Sequence, residues 1–375
     1  MSQWTVLVFS GHSGGHLYPA VAFAESFRKR RPGAKIVLVS SRKAGPFVAR
    51  MSSGIFDAVH LVREFPFPSG ISLNLVRFLL ELPQAFLETL KILRTERPDL
   101  CVGFGSYVSY PGIVLGSLWK IPCLIHEQNL VPGRATRSLL KHADAVAVSF
   151  APTFENDGLK DRVVTGLPLR SCLREKASER LRLEASVGFG AARPFRILVS
   201  GGSQGAQRLN DLVLDALAGL NDEEKRGIAV NHITGERDHE RVSKRYEELG
   251  IAYRAWPFFE TMQDLYAESD MAVTRAGAST LGELALFGLP AVVIPYPHAA
   301  SHQKANAGYF ESCGAVLTAE ESAADPAWLA EKIRSLKNDP ELRRRMAESL
   351  SRLACADAAV RLAGVAENLI EKRNF

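Results

Sequence analysis

The chain has 375 residues, a length that favours two domains, and its 46% hydrophobic and 23% charged residues are typical of a soluble globular enzyme. The formal net charge of +5 permits an anionic ligand or an anionic membrane surface without requiring either. The densest basic run, residues 28–31, closes a predicted helix, where cations complement the helix dipole, so we predict no nucleic-acid partner.

The cysteines and the apolar runs exclude further classes. Five widely spaced cysteines form no CxxC pair, which indicates a reducing compartment and argues against a structural zinc site or a disulfide framework. The first residues enter a strand directly, so we expect no signal peptide. Glycine and proline interrupt the uncharged runs at residues 100–119 and 284–301, so neither is predicted to span a membrane.

The first half of the chain alternates predicted strands and helices. Residues 5–9 form an apolar strand, residues 10–16 a glycine-rich turn, and residues 17–30 a helix with Pro19 in its first turn. Further strands are predicted at residues 35–40, 100–104, 122–126, 145–149 and 162–165. Nearly continuous apolar strands separated by helices indicate a parallel sheet covered on both faces.

The same pattern restarts at residue 195, with a strand at residues 195–200, a glycine turn at residues 201–205 and a helix at residues 207–217. Strands follow at residues 228–233, 252–255, 271–274, 291–295 and 315–318. We therefore predict the α/β class, with two Rossmann-like domains facing a cleft that suits two substrates. The predicted domains are residues 1–165 and 166–354, and a last helix at about residues 355–375 is expected to cross back to the first.

Each glycine turn precedes a helix and would expose backbone N–H groups to an anion such as phosphate. Neither turn fits G-x-G-x-x-G, and no acidic residue follows the second strand, so a nicotinamide dehydrogenase is disfavoured. The chain also lacks GxxxxGK[ST], which disfavours a P-loop NTPase.

Polar residues end two strands of the first half. His16 closes the first glycine turn, where an imidazole could accept a proton or contact a phosphate; the alternative is a histidine fixed structurally to a carbonyl. His126, Glu127, Gln128 and Asn129 directly follow a strand, and four polar residues there cannot all be core. We predict that Asn129 contacts a ligand, whereas Glu127 could anchor the loop behind it.

Residues 271–306 hold a strand, a turn at Gly277, a helix at residues 279–287, a second strand and a polar loop. We expect Ser279 and Thr280 to cap the helix, with Glu283 on its first turn. A carboxylate there could accept both hydroxyls of a ribose, although an ordinary cap and a solvated loop remain the alternative. Polar residues then follow at the same sheet edge: His298, His302, Gln303 and Asn306.

Six motifs together resemble the MurG family, bacterial transferases that convert lipid I to lipid II in peptidoglycan synthesis. They are GGHLYPAVAFA (14–24), GFGSYVSYPG (103–112), IPCLIHEQN (121–129), VTGLPLR (164–170), SGGSQGAQRLN (200–210) and RAGASTLGELALFGLPAVVIPYPH (275–298). The resemblance spans nearly the whole chain in the right order and implies a fold of GT-B type. It also implies roles in cell-wall biogenesis, cell shape and cell division.

The resemblance implies a donor site for UDP-N-acetylglucosamine. Glu283 would bind the ribose and Arg170 would neutralise the diphosphate. Phe258 and Phe259 would frame the uracil, and the sugar would contact Gln303, His302 and Asn306. The other implied donor contacts are Ser13, Gly14, Gly15, Asn129, Ser203, Gln204, Ala278, Ser279 and Thr280.

The implied acceptor site lies in the first domain and comprises Gly14, Gly15, His16, Tyr107 and Asn129, with Ser13 beside them. His16 would be the base that deprotonates the muramyl hydroxyl, and Asn129 is the second predicted catalytic residue. The implied reaction is one inverting displacement, in which O4 attacks the anomeric carbon while UDP leaves from the opposite face. Because no Asp-x-Asp pair ends a strand, we predict no bound metal and no cofactor, although added Mg²⁺ could act through the substrates.

The chain departs from the family pattern at four positions. His12 replaces a glycine of the first turn and adds a second titratable group beside His16, while Ser13 replaces a threonine and keeps its hydroxyl. Leu167 stands where the family has asparagine, and His302 stands where glutamine is expected. These departures concern the acceptor loop and the sugar contacts.

Lipid I is anchored in a bilayer, so the resemblance implies a peripheral protein at the cytoplasmic face of the inner membrane. Other proteins of cell-wall synthesis are further candidate partners. Apolar residues recur at helical spacing in residues 71–93, with cations near them, which suits an anionic bilayer. The alternative is that this stripe packs on the sheet. The predicted membrane patch is Leu75, Phe78, Leu79, Leu82, Phe86, Trp119, Lys120 and Lys141.

Three rival functions remain open. A related glycosyltransferase could use the same fold with another lipid acceptor, such as diacylglycerol. A UDP-sugar 2-epimerase shares the two-domain architecture and would act on UDP-N-acetylglucosamine alone. A non-catalytic scaffold would bind the UDP-sugar and transfer nothing.

Overall fold

The computed structural model describes residues 3–45, 48, 54–64, 73–155, 157–159, 161–187, 193–202, 205–297 and 302–373, with the backbone alone at residues 73–79 and 183–187. The chain forms two compact units. Unit 1 comprises Met1–Ser171 and Cys355–Phe375, and unit 2 comprises Cys172–Ala354. The division therefore falls after Ser171, whereas the domain boundary predicted from the sequence lies after residue 165.

The described residues of unit 1 form a seven-stranded parallel sheet in the order β3-β2-β1-β4-β5-β6-β7. The strands are β1 Thr5–Ser10, β2 Lys35–Ser41, β3 Ala58–Val62, β4 Leu100–Gly103, β5 Cys123–Glu127, β6 Ala145–Val148 and β7 Arg162–Val164. Strand β3 was not predicted from the sequence. This edge strand alternates half-buried and exposed residues, so it lacks the continuous apolar run of the inner strands.

The described residues of unit 2 form a six-stranded parallel sheet in the order β10-β9-β8-β11-β12-β13. Its strands are β8 Phe195–Ser200, β9 Ile228–Ile233, β10 Ala252–Trp256, β11 Met271–Thr274, β12 Ala291–Val293 and β13 Val316–Thr318. The inner strands β11 and β12 are buried along their whole length, as expected for a sheet covered on both faces.

The helices that connect and cover these strands are α1 Gly14–Arg30, α2 Leu73–Glu96, α3 Ser109–Leu118, α4 Arg134–Leu139, α5 Ser171–Val187, α6 Gln207–Ala218, α7 Asp222–Arg226, α8 His239–Leu249, α9 Met262–Glu268, α10 Ala278–Phe287, α11 His302–Ser312, α12 Pro326–Asn338, α13 Pro340–Leu353 and α14 Ala358–Arg373. Short 3₁₀ helices occur at Arg42–Ala44 and Leu140–His142. No helix in the described part of the chain is long and apolar enough to cross a membrane.

The last helix, α14, belongs to the core of unit 1. Leu362, Ala366 and Ile370 are buried against the same cluster as residues of α1 and of β1, β2 and β4. Glu367 pairs with Arg30 and Arg31 at the end of α1, where cations also complement the helix dipole. Burying one leucine or isoleucine side chain contributes about 1.5–3 kcal/mol, so this apolar face is the main attachment of α14.

Candidate active site

The loop after β1 leads directly into α1. The helix begins at Gly14, earlier than the predicted residue 17, so Gly14, Gly15 and His16 form its first turn. Ser13 is the N-cap in extended conformation, and its carbonyl accepts from the N–H groups of His16 and Leu17, both at 3.0 Å. The first N–H groups of a helix have no intrahelical acceptor, so this end of α1 can bind an anion.

His16 lies half-buried in this first turn, and its Nδ1 atom is buried without a hydrogen-bond partner among the described residues. The neighbouring loop approaches closely, since a Cβ on Gly105 would lie 3.1 Å from Nδ1. Burial lowers the pKa of His16, against the charge of Glu127, which raises it. The positive end of the helix dipole also disfavours the imidazolium. His16 is therefore neutral near pH 7 and able to accept a proton.

The loops after β1 and β4 are in direct contact. A Cβ on Gly11 would lie only 2.6 Å from Cβ of Ser106, so a glycine is required there. Tyr107 follows Ser106 and is half-buried. Burial raises the pKa of Tyr107, with an opposing effect of the Arg134 charge, so its hydroxyl is protonated at neutral pH and can donate a hydrogen bond.

At the carboxyl end of β5, His126 and Glu127 are the last residues of the strand and are buried, as is Gln128, and Asn129 is half-buried. Oε1 of Glu127 accepts from the backbone N–H (2.9 Å) and from Nδ2 (3.2 Å) of Asn129, and Oε2 accepts from the N–H of Gly133 at 3.2 Å. Glu127 thus anchors the loop and orients Asn129. Nε2 of His126 lies 3.2 Å from the carbonyl oxygen of Gly166. Burial lowers the pKa of His126 to about 4, so it is a neutral structural residue.

Arg170 was predicted within the C-terminal domain, but the structure places it in unit 1. Its guanidinium carbon lies 4.2 Å from the ring centre of Tyr18, which follows the first turn of α1 closely. This cation–π contact fixes a cation near the start of α1.

In unit 2, α10 begins one residue earlier than predicted, with Gly277 as its N-cap. Ser279 and Thr280 therefore lie inside the first turn, and the predicted capping by their hydroxyls is wrong. Glu283 lies on the second turn rather than the first and is only 7% exposed. The hydroxyl of Tyr266, on α9, donates to Oε2 of Glu283 at 2.7 Å. Because a carboxylate can accept several hydrogen bonds, this orienting contact is compatible with a ribose.

The start of α11 holds two neighbouring loops in place. Oε1 of Gln303 accepts from the N–H groups of Tyr296 (2.8 Å) and Ala276 (3.2 Å). Asn306 is fully buried and donates to the carbonyl of Ala276 at 3.2 Å. Asn306 therefore supports the loop, and the contact of its side chain with a sugar stays a prediction. His302 is half-buried at the helix start.

Two further predicted donor residues are described in the same unit. Phe258 and Phe259 follow β10 and are half-buried, and the Phe259 ring lies 4.7 Å from that of Trp256. Ser203 and Gln204 lie outside the described residues, as does His298. Gly205, the first described residue after Gln204, has φ +75°, and a Cβ there would lie 2.8 Å from the carbonyl of Thr234.

Two polar networks at this edge were not predicted from the sequence. Arg275 is buried, pairs with Glu321, and donates to the carbonyl of Ile294 at 3.1 Å. Nδ2 of Asn210 donates to Asp238 (2.7 Å) and to the carbonyl of Thr234 (3.0 Å). An arginine between an apolar strand and a glycine was a signal for the first network. The second joins residues far apart in sequence and had no local signal.

The predicted membrane patch is only partly described. The side chains of Leu75, Phe78 and Leu79 lie outside the described residues. Leu82 and Phe86 are half-buried, and Trp119, Lys120 and Lys141 are exposed. The most exposed apolar side chains of the described part of α2 are instead Leu80 (64%) and Leu87 (65%), which the sequence analysis did not select.

The glycosyltransferase family 28 N-terminal domain matches residues 6–148, and the glycosyltransferase family 28 C-terminal domain matches residues 196–362. The chain belongs to glycosyltransferase family 28. Both the family resemblance and the enzyme class predicted from the sequence are thereby confirmed.

Among family 28 relatives, a protein of Desulfotalea psychrophila is 37% identical over 98% of this chain and 97% of its own length. Its name is UDP-N-acetylglucosamine–N-acetylmuramyl-(pentapeptide) pyrophosphoryl-undecaprenol N-acetylglucosamine transferase. The crystal structure of Acinetobacter baumannii MurG matches with a TM-score of 0.76 and 26% identity, over 97% of this chain and 99% of that one. The predicted fold, two Rossmann-like domains of GT-B type, is confirmed.

A UDP-GlcNAc 2-epimerase from Neisseria meningitidis shares the architecture, with a TM-score of 0.67 over 98% of this chain and 100% of that one. At 14% identity this similarity concerns the fold alone. The family 28 match therefore favours a transferase over the epimerase alternative.

Proposed function

We propose that this chain transfers N-acetylglucosamine from UDP-N-acetylglucosamine to O4 of the muramyl sugar of lipid I, which yields lipid II for peptidoglycan synthesis. The supporting observation is 37% identity, along 98% of the chain, to a transferase named for that reaction. A related lipid-acceptor transferase, an epimerase and a scaffold are the alternatives that the experiment below distinguishes.

The donor is assigned to unit 2, at the carboxyl ends of β8, β11 and β12, where ligands of open α/β sheets bind. Glu283, oriented by Tyr266, would accept the ribose hydroxyls. The first turn of α10, Ala278 to Thr280, would present N–H groups to the diphosphate. Gln303 holds the loops around it through Tyr296 and Ala276 and would contact the sugar.

The acceptor is assigned to unit 1, at the carboxyl ends of β1, β4 and β5. His16 would take the proton from the O4 hydroxyl as O4 bonds to the anomeric carbon. The bond from that carbon to the diphosphate oxygen breaks, and UDP leaves with the electron pair. Asn129, held by Glu127, would hydrogen-bond the acceptor, and Tyr107 would lie beside it. Neutral His16 is in the form that this step needs.

Charge develops on the leaving diphosphate, so stabilisation by fixed donors is expected to contribute much of the rate enhancement. Helix-start N–H groups and the Arg170 guanidinium can supply this without a bound metal. We therefore propose that no metal or cofactor is required and that Mg²⁺ acts, if at all, on the substrates.

We also propose a peripheral position at the cytoplasmic membrane face, where a polyprenyl-linked acceptor would be reached. Leu80 and Leu87 on α2 and Leu118 and Trp119 at the end of α3 expose apolar surface. Lys91 and Arg94 are exposed further along α2, and Lys120 and Lys141 are exposed nearby in the chain. Exposed apolar side chains with neighbouring cations are suited to an anionic bilayer.

The test incubates the purified chain with UDP-N-acetylglucosamine in mild detergent, in parallel with a short-chain lipid I analogue, with diacylglycerol and with no acceptor. Products are read by mass spectrometry and by NMR, which distinguishes sugar epimers of equal mass. We expect a product heavier by one N-acetylhexosamine residue, together with UDP. Conversion of the donor without acceptor would indicate an epimerase. Transfer to diacylglycerol but not to lipid I would indicate the related transferase, and donor binding without turnover would indicate a scaffold.

A further inference from the structure

Three buried side chains of unit 2 form a continuous hydrogen-bonded network next to the loops that follow β8, β9 and β10. The network runs from Tyr246 on α8 through His232 on β9 to Asn210 on α6. Nδ1 of His232 lies 2.9 Å from the hydroxyl of Tyr246, and Nε2 lies 3.0 Å from Oδ1 of Asn210. All three side chains are fully buried, and the proposed reaction uses none of them.

The direction of each hydrogen bond in the Tyr246–His232–Asn210 network is fixed. Nδ2 of Asn210 donates to two acceptors, the carbonyl of Thr234 at 3.0 Å and the carboxylate of Asp238 at 2.7 Å. Oδ1 of Asn210 therefore accepts from Nε2 of His232, and Nδ1 of the same ring accepts from the hydroxyl of Tyr246. Burial lowers the pKa of His232 to about 3 and raises the pKa of Tyr246, so both groups keep the protonation that these bonds need.

The network ends on Thr234, a buried residue that directly follows β9 and joins the neighbouring loops. On one side, its carbonyl lies only 2.8 Å from the position of a Cβ added to Gly205, in the loop after β8. On the other side, its N–H donates to the carbonyl of Trp256 at 2.9 Å. Trp256 ends β10, and its ring lies 4.7 Å from that of Phe259. Asn210 thus fixes the residue that all three loops share.

We propose that the Tyr246–His232–Asn210 network positions the loops after β8, β9 and β10 for the uridine diphosphate part of the donor and thereby determines donor affinity. This inference rests on the proposed function, because that function assigns these loops to the donor. Tyr246 and His232 are positioning residues, since they are fully buried and act through Asn210 and Thr234.

The physical reason is the tautomer of His232. Without the hydroxyl of Tyr246, the imidazole can adopt its other tautomer, which presents a lone pair instead of an N–H to Oδ1 of Asn210. Asn210 then loses the bond that orients its amide toward Thr234. A ligand that binds one loop arrangement binds more weakly when that arrangement is less populated, so donor affinity should fall.

The experiment measures kcat, KM for UDP-N-acetylglucosamine and KM for the lipid I analogue in wild type, Tyr246→Phe, His232→Leu and the double variant. In Tyr246→Phe we expect the donor KM to rise about fivefold or more, the equivalent of one hydrogen bond, while kcat and the acceptor KM change less than about twofold. Calorimetry should show UDP affinity falling by the same factor. Because both substitutions break one network, the double variant should bind UDP about as weakly as the weaker single variant.

Tyr253 on β10 supplies the matched control. Its ring stacks on that of Tyr246, with ring centres 5.0 Å apart, but its hydroxyl donates to exposed Glu247 at 3.2 Å. Tyr253→Phe removes the same group from the adjacent ring and should leave all three constants and UDP affinity unchanged. Thermal melting measures stability in each variant. If His232→Leu does not fold, the comparison of Tyr246→Phe with Tyr253→Phe still decides.

The two claims fail differently. A lower melting temperature in Tyr246→Phe with unchanged donor KM and UDP affinity would show a purely structural network and overturn the inference, as would losses that multiply in the double variant. In both cases wild-type transfer upholds the proposed function. Absence of transfer by the wild type overturns the proposed function. Calorimetry then still tests the network if UDP binds, and the inference falls as well if UDP does not.

Discussion

Glu283 is the residue on which donor binding should depend most. Glu283→Ala removes the acceptor of two predicted ribose hydrogen bonds, so the affinity for UDP should fall by about 2 kcal/mol, roughly 30-fold. Tyr266→Phe removes the hydroxyl that orients the carboxylate and should have a smaller effect in the same direction. Isothermal titration calorimetry with UDP measures both, and exposed Glu331 on α12 supplies the control Glu331→Ala. Unchanged affinity in Glu283→Ala would remove this residue from the site.

His16→Ala separates proton transfer from donor binding. Loss of a general base typically costs about 100-fold or more in turnover, while the dissociation constant for UDP should stay within about twofold because the donor is assigned to unit 2. Steady-state transfer assays measure turnover, and calorimetry measures the dissociation constant for UDP. Full turnover in this variant would be inconsistent with the assigned role of His16.

The polar residues that follow strands were predictable from the sequence, because polar side chains rarely cluster in an apolar core. Their exposure could not be ranked from the sequence. Asn306 and Glu283 read as ligand contacts, yet one is fully buried and the other is held by Tyr266. These outcomes depend on which residue begins α10 and α11, and a shift of one position turns a side chain by about 100° around a helix.

At the scale of elements, the loop after β8 is held against the loop after β9 through Gly205. Gly205→Ala places a Cβ within 2.8 Å of the Thr234 carbonyl, so the loop must move and donor affinity should fall at least tenfold. Gly250→Ala is the matched control, since Gly250 has φ +64° but no neighbour within 4 Å of an added Cβ. Both variants carry similar backbone strain, about 1 kcal/mol. Equal donor affinity in the two variants would contradict the proposed contact role of the loop.

The exposed residues Leu80 and Leu87 of α2 should govern membrane association. Leu80→Ser combined with Leu87→Ser removes two apolar side chains that would each contribute about 1.5–3 kcal/mol if buried in lipid. Sedimentation with anionic vesicles should show at least a tenfold loss of partitioning. Leu181→Ser, at an exposed leucine of unit 2, is the control. Equal vesicle binding by the double variant and this control would rule out Leu80 and Leu87 as the docking surface.

Element order was largely predictable, because buried parallel strands read as apolar runs separated by helices. The exceptions have physical causes. β3 is a half-exposed edge strand without such a run, so Glu64 could not be placed beside His12 from the sequence. α1 begins at Gly14 because tertiary contacts overrode the low helix propensity of two consecutive glycines.

For the whole molecule, two buried neutral histidines predict acid sensitivity. Burial lowers the pKa of His126, in unit 1, to about 4 and that of His232, in unit 2, to about 3. The unfolded chain takes up these protons below about pH 6.5, whereas the folded chain does not until much lower pH. The stabilisation that each neutral histidine contributes is therefore fully present above pH 6.5. Below that pH the free energy of unfolding falls by up to about 1.4 kcal/mol per pH unit for each histidine.

Urea unfolding at pH 7, 6 and 5 measures this dependence, in a range above the ordinary titration of carboxylates. The midpoint should fall steadily with pH, and His232→Gln should flatten the dependence even if it lowers stability at pH 7. A midpoint that is constant from pH 7 to pH 5 would contradict the buried, neutral state of these histidines.

An inverting transfer to O4 of the muramyl sugar is the reaction proposed for this chain. The most direct measurement is the NMR spectrum of the disaccharide product made from UDP-N-acetylglucosamine and the lipid I analogue. The N-acetylglucosamine of the donor is α-linked. A single displacement predicts a β-linked N-acetylglucosamine on O4. An α-linkage, attachment at another hydroxyl, or no disaccharide would contradict the account.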